Sequence, residues 1–230
     1  MVGAGGYDAL MVRESMSRFA LVLLAAAVVA GWTTRSHAGL RYFERSNWMV
    51  GVGWSVGPGK ITNPSTVPDD NFGEAANATD DYKGGAAPSV RFGRRLGQHL
   101  MVDACWADWL VEFGEDPVKY RRTLQTWGLA LTFYPGDPLG PTGGIYLRAG
   151  SGLGLAGTAE KVAIEGQAQK RGERHDDTGY SVFGETGYEF WITSSFTAGL
   201  NAAAYYFGID GVYVDSGWFT SFGIALNAYF

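Results

Sequence analysis

The chain is patterned in twos. Over its last stretch, Trp218, Thr220, Phe222, Ile224, Leu226, Ala228 and Phe230 share one phase, and Phe219, Ser221, Gly223, Ala225, Asn227 and Tyr229 share the other. Alternate side chains of a strand point to opposite faces, so this run has an apolar face and a face of mostly small and polar residues. Seven further segments carry the same period. Residues 46–57 set Trp48, Val50, Val52, Trp54 and Val56 against Met49, Gly51, Gly53, Ser55 and Gly57. Residues 87–95 set Val90 and Phe92 against Ser89, Arg91 and Gly93. Residues 99–113 set Leu100, Val102, Ala104 and Trp106 against Asp103, Cys105 and Ala107. The phase blurs there at Asp108-Trp109, where a β-bulge is expected. Residues 122–134 set Trp127, Leu129, Leu131 and Phe133 against Thr126, Gly128, Ala130 and Thr132. Residues 144–155 set Ile145, Leu147, Ala149, Leu153 and Leu155 against Tyr146, Arg148, Gly150, Gly152 and Gly154. Residues 179–191 set Tyr180, Val182, Tyr188 and Phe190 against Phe183, Glu185, Gly187 and Glu189. Residues 195–207 set Phe196, Ala198, Leu200, Ala202 and Tyr206 against Thr197, Gly199, Asn201 and Ala203.

The connections alternate in character. Residues 58–86, 114–121, 156–178 and 208–217 form the longer or more polar set. The others hold compact turn signals such as Leu96-Gly97-Gln98 and Pro135-Gly136-Asp137-Pro138. Eight antiparallel strands with long loops at one end and short turns at the other predict an eight-stranded transmembrane β-barrel, its short turns toward the periplasm. The apolar phase then faces lipid and the other phase faces a polar lumen. Aromatics cluster near both strand ends: Trp48, Phe133, Tyr188, Phe190, Phe196 and Phe230 at one, Trp54, Trp127, Tyr180, Tyr206 and Trp218 at the other. Two such girdles are expected at the two headgroup layers.

Composition agrees with this picture. The mean hydropathy is −0.06, as expected where lipid-facing and lumen-facing residues average out. After residues 1–38, no apolar run reaches the length of a membrane-spanning helix, so a barrel is the remaining way to satisfy every backbone polar group in lipid. Residues 1–38 themselves read as an export signal, with the barrel occupying 39–230. Arg13 and Arg18 precede the apolar run Phe19–Ala30, and Ser36-His37-Ala38 offers a small-x-small cleavage site. The run would rise only about 18 Å as a helix, short of a hydrocarbon core of about 30 Å. Met11 or Met16 is a candidate start. Beyond residue 38 the chain carries 15 Lys and Arg against 21 Asp and Glu, a net charge of −6. That balance argues against nucleic acid as a partner. Cys105 is the single cysteine, so neither an internal disulfide nor a Cys-based metal site is expected.

The signal, the eight alternating segments, the glycine-rich YLRAGSGLGL (146–155), the segment GETGYEF (184–190) and the terminal FGIALNAYF (222–230) resemble the small outer-membrane barrel families of Gram-negative bacteria, those of the OmpA transmembrane domain, OmpX and OmpW. The resemblance implies a cell-envelope protein whose partners are outer-membrane lipid and the barrel-assembly machinery. It implies that Phe230, with Tyr229 and Gly223, forms the terminal signal that this machinery reads. It also implies two non-enzymatic roles. One is envelope integrity or surface interaction through loops 58–86 and 156–178, with the ligand left open. The other, following OmpW, is a narrow channel or a conduit for small apolar molecules.

Several motifs compete with the bland reading. Gly152-Leu153-Gly154-Leu155-Ala156-Gly157 fits the dinucleotide-binding spacing, but no βαβ units surround it, and inward glycines make room for large neighbours in a narrow barrel. Arg91, Asp103, Arg148, Glu185 and Glu189 fall on the inward phase. Buried charges must pair, so an interior network that plugs the lumen is expected, with a gate as the sharper alternative. His99, and His175 beside Asp176, Asp177 and Ser181, raise a lipid A hydrolase reading, which requires a nucleophile within about 3 Å of its base. Asp69-Asp70 and Asp80-Asp81 lack the spacing of a dedicated Ca²⁺ site, and Asn77-Ala78-Thr79 is a sequon in a polar loop. No catalytic residue, metal or cofactor is expected.

Overall fold

A computed structural model describes residues 47–66, 68, 82–113, 118–136, 144–162 and 170–230. The expected signal segment, the sequon and the paired aspartates at 69–70 and 80–81 lie outside these residues. Eight strands follow one another: β1 (Trp48–Thr62), β2 (Lys83–Arg95), β3 (Leu100–Phe113), β4 (Val118–Phe133), β5 (Ile145–Val162), β6 (Lys170–Trp191), β7 (Phe196–Gly208) and β8 (Ser216–Tyr229). Each pairs antiparallel with its neighbours in sequence, and β1 pairs with β8, so the sheet is a closed barrel. Closure runs to the last residue. Trp48 and Phe230 exchange backbone hydrogen bonds of 3.0 Å in each direction. No sheet edge is left along that seam.

The two phases separate as the alternation predicts. Leu129, Phe222, Ile224 and Leu147 are 64%, 62%, 59% and 53% exposed, whereas Thr126 and Phe219, on the opposite phase of their strands, are fully buried. Val52 has the outward phase yet is buried, between its cross-strand partners Val90 and Leu226. The outward apolar band spans about ten residues on most strands, the length that a tilted strand needs to cross a bilayer. At its short-turn margin Trp48 stacks on Phe92 at 5.2 Å, and the guanidinium of Arg94 lies 5.3 Å from the Trp48 ring.

Two expectations are corrected. First, β3 and β4 pair without interruption from Leu100↔Phe133 to Phe113↔Tyr120, so there is no bulge at Asp108-Trp109. The phase looked blurred because Trp109 is a large apolar residue on the inward face and Asp108 a charged one on the outward face. The register shift in β5–β6 instead falls between Ala159 and Lys161. Second, the strands are longer than their apolar alternation. β5 has 18 residues and β6 has 22, against about 9–11 for a spanning strand. Much of the expected loop 156–178 is therefore ladder. β5–β6 pairing continues from Gly154↔Gly179 to Val162↔Lys170, past Tyr180↔Gly208, where β6–β7 pairing ends. Likewise β1 and β2 extend into the expected loop 58–86, to Thr62 and from Lys83. Beyond the apolar band the outward phase is no longer apolar, so period two fades from the sequence while backbone pairing and the burial of Ile61, Ala156, Thr158 and Asp177 persist. The dinucleotide-like glycines lie, as the alternation predicts, inside β5, paired to β4 and β6, without the turn and helix that a phosphate cradle requires.

Candidate functional site

The inward phase builds a lumen in four layers. Nearest the short turns, Met49, Met101, Tyr134, Tyr146 and Tyr229 pack together with Trp191 against them. The Tyr134 and Tyr146 rings lie 6.1 Å apart, and those of Trp191 and Tyr229 5.5 Å apart.

The second layer is ionic. Arg148, on β5, reaches sideways to two strands. Its Nη2 donates to Asp103 Oδ1 of β3 at 2.6 Å and its Nη1 to Glu185 Oε2 of β6 at 2.6 Å. The remaining acceptor capacity is used as well. Thr132 donates to Asp103 Oδ2 (3.1 Å), and Tyr146 OH and Asn201 Nδ2 donate to Glu185 Oε1 (2.6 and 3.2 Å). A second group forms around Glu189. Arg91 Nη2 donates to Glu189 Oε1 at 3.3 Å and to Asn227 Oδ1 at 2.8 Å. Tyr229 OH donates to Glu189 Oε2 (2.8 Å), Tyr134 OH to Oε1 (3.2 Å) and Asn227 Nδ2 to Oε1 (3.1 Å). The five charges that the alternation placed inward thus fall into two clusters, Arg148 with Asp103 and Glu185, and Arg91 with Glu189. Such pairing offsets a desolvation cost of several kcal/mol per ion. The neutral partners Thr132, Tyr134, Tyr146, Asn201 and Asn227 were not singled out from the sequence. Inward parity alone could have flagged them.

The third layer corrects the expected polar lumen. Trp109, Leu124, Phe183, Tyr205, Phe207 and Phe219 fill the long-loop half of the barrel with buried apolar side chains. Phe219 is central. Its ring lies 4.4 Å from Tyr205, 5.9 Å from Trp109 and 6.0 Å from Phe207, all near parallel. The Trp109 indole donates to the Gly57 carbonyl at 3.2 Å. It occupies the space over two glycines: a Cβ at Gly59 would lie 2.8 Å from the indole, and one at Gly85 closer still. The Arg148 guanidinium sits 4.9 Å from the Phe183 ring centroid and joins this layer to the ionic one.

The fourth layer is the β7–β8 connection folded inward. Ile209, Tyr213 and Val214 are buried at the mouth. Two buried charges hold them. The Asp177 carboxylate accepts the backbone N–H groups of Val212 (3.1 Å) and Tyr213 (3.0 Å). Fully buried Arg122 donates to the Tyr213 carbonyl (3.0 Å) and to Asn63 Oδ1 (3.1 Å). His175 lies 3.1 Å from Asp177 and edge-on to the Tyr213 ring at 4.6 Å. Asp210 takes the left-handed backbone conformation, φ 54°, that lets the chain double back.

A hydrolytic set is not assembled from the residues considered. His175 faces Asp177, but Ser181 lies six residues along β6, about 20 Å away at the rise of a strand. Ser181 is fully buried and bonded to Thr126 Oγ1. His99 is at the opposite end, its Nδ1 2.8 Å from the Tyr134 carbonyl oxygen. Cys105 is a free thiol on the inward phase, with Sγ 3.6 Å from the Gly128 carbonyl oxygen. Among the described residues, no three His, Cys, Asp or Glu side chains are grouped to hold a metal. Gly223 and Tyr229 lie on β8 facing the lumen, and Phe230 completes the β1 seam.

Comparison with known proteins rests on shape. No described protein family matches the chain, and no curated protein does. Among solved structures, Neisserial surface protein A shares 12% identity over 80% of this chain and 98% of that one, with a TM-score of 0.50. Ail, the attachment invasion locus protein of Yersinia pestis, shares 14% over 79% of this chain and 99% of that one, with a TM-score of 0.49. The outer membrane protein OprG of Pseudomonas aeruginosa shares 10% over 84% and 100%, with a TM-score of 0.40. At these identities the likeness concerns architecture, and that architecture is the closed eight-stranded antiparallel barrel of small outer-membrane proteins.

Proposed function

We propose that this chain is a bacterial outer-membrane barrel of non-enzymatic character, exported by a cleaved signal, that acts through its wall and its long-loop end rather than through its lumen. One observation carries the reading: the interior is filled, layer on layer, by paired charges, stacked rings and an inward-folded loop. An eight-stranded barrel is just wide enough for side chains to fill it, and here they do. A cavity between the ionic and aromatic layers has a volume of about 20 Å³, room for about one water. The filled lumen weighs against the narrow channel and the small-molecule conduit. What faces outward is an apolar band suited to lipid and, above it, the β5–β6 ladder with the connections at the long-loop end. Envelope integrity or surface contact follows from those two surfaces. Phe230, bonded into the barrel seam with Tyr229 and Gly223 on the same strand, is the proposed recognition signal for barrel assembly.

The test is electrical and chemical. Purified protein in planar bilayers is expected to show no single-channel steps, and Arg148→Ala to introduce none. Lipid A from expressing cells is expected to keep its mass. Reproducible conductance steps would restore the channel, and a mass change in lipid A would establish an enzyme.

A further inference from the structure

Both clusters of the ionic layer contribute residues to the lining of one small cavity. The 20 Å³ space is lined by Arg91, Arg148, Glu185, Asn201, Cys105 and Tyr205, among others. Two polar atoms of those residues have no hydrogen-bond partner in the protein although both are buried: Arg91 Nη1, a donor, and Asn201 Oδ1, an acceptor. They belong to different clusters. Arg91 is bonded to Glu189 and Asn227, and Asn201 to Glu185. A buried unsatisfied polar atom costs about 1–3 kcal/mol, more where the group is charged.

We infer that this cavity is a binding site for one structural water, which accepts from Arg91 Nη1, donates to Asn201 Oδ1 and thereby joins the two ion clusters into one network. The chemistry selects water over an ion. A metal cation cannot accept a hydrogen bond from a guanidinium, and a halide cannot donate one to an amide oxygen. Water does both, and it fits: about 10–15 Å³ on this measure suffices for one molecule that finds two or more polar partners. The network also holds two guanidinium groups, Arg91 and Arg148, against three carboxylates, Asp103, Glu185 and Glu189. Dispersing that surplus negative charge favours a polarisable bridge over an empty gap. The inference rests on the lumen's geometry and stands whether or not the envelope role does.

A crystal structure of the detergent-refolded full-length chain, at a resolution that shows ordered water, is expected to place one water within about 3.2 Å of both Arg91 Nη1 and Asn201 Oδ1. An empty map there, or a direct bond from Arg91 Nη1 to Asn201, would overturn the inference. Oxygen-17 relaxation dispersion gives an independent readout in solution. The wild-type barrel should carry one more long-lived water than Asn201→Leu. Equal counts would also overturn it, and if the variant does not fold, the wild-type map decides alone.

Discussion

Individual side chains in this barrel are held to their roles by what surrounds them. Arg148 is the clearest case, since it neutralises Asp103 and Glu185 at once and caps the Phe183 ring. Replacing it by Met would leave two buried carboxylates without their cation. The expected loss is about 3–5 kcal/mol in equilibrium unfolding from detergent or bilayer into urea, the cost of breaking a buried pair from one side. A loss below about 1 kcal/mol would mean that the layer is solvated rather than sealed. Trp109 carries the apolar layer in a comparable way. Its indole fills the space left by Gly59 and Gly85, so Trp109→Ala should open a cavity and cost about 3–5 kcal/mol in the same measurement. On the outer wall, Leu129 is 64% exposed. If that exposure is to lipid, Leu129→Arg should cost about 2–4 kcal/mol for folding into a bilayer. An unchanged folding energy would place Leu129 outside the hydrocarbon.

At the scale of elements, pairing outlasts patterning. The alternation that marks each strand ends near the margin of the apolar band, yet β5 and β6 run on to Val162 and from Lys170. The sequence shows no clear period there because the outward phase turns polar while the inward phase mixes polar and apolar residues, although Ala156, Thr158 and Asp177 are buried. The converse holds at Asp108-Trp109, where residue identity masks an unbroken register. The β7–β8 connection shows a third case, a loop that behaves as core. Ile209, Tyr213 and Val214 are buried because Asp177 and Arg122 tie down its backbone from β6 and β4. Asp177→Ala should release it. Chymotrypsin is expected to cut after Tyr213 in that variant while sparing the wild type, with the barrel strands intact. Equal resistance of the two proteins would show that Arg122 and the buried side chains hold the loop without Asp177.

For the molecule as a whole, closure and filling have separate consequences. Closure leaves no strand edge along the wall, and every strand finds its partners in its sequence neighbours, with β1–β8 the one long-range seam. That seam ends on the Trp48–Phe230 pair. Deleting Phe230 removes two terminal hydrogen bonds and an aromatic at the short-turn margin. Its expected effect is a fall in the folded, heat-modifiable fraction recovered from membranes, larger than the effect on unfolding of the refolded barrel. Equal effects on both would argue for a structural rather than a recognition role. Filling, in contrast, bears on transport, because buried charges and rings from seven of the eight strands, β2 to β8, occupy the lumen.

The sequence alone determined the strand count, the antiparallel order and which phase of each strand turns inward, because a closed sheet one side chain thick imposes period two on every residue it buries or exposes. It therefore placed Arg91, Asp103, Arg148, Glu185 and Glu189 on the inner wall. Only the tertiary structure decided how they pair, since the partners lie 37 to 98 residues apart and are set by strand stagger around the cylinder. The same stagger sorted the lumen into an ionic half and an aromatic half, and brought a polar loop to seal its mouth. Alternation records which side of the wall a residue faces. It carries no record of height along the axis, and height is what separates a channel from a plug.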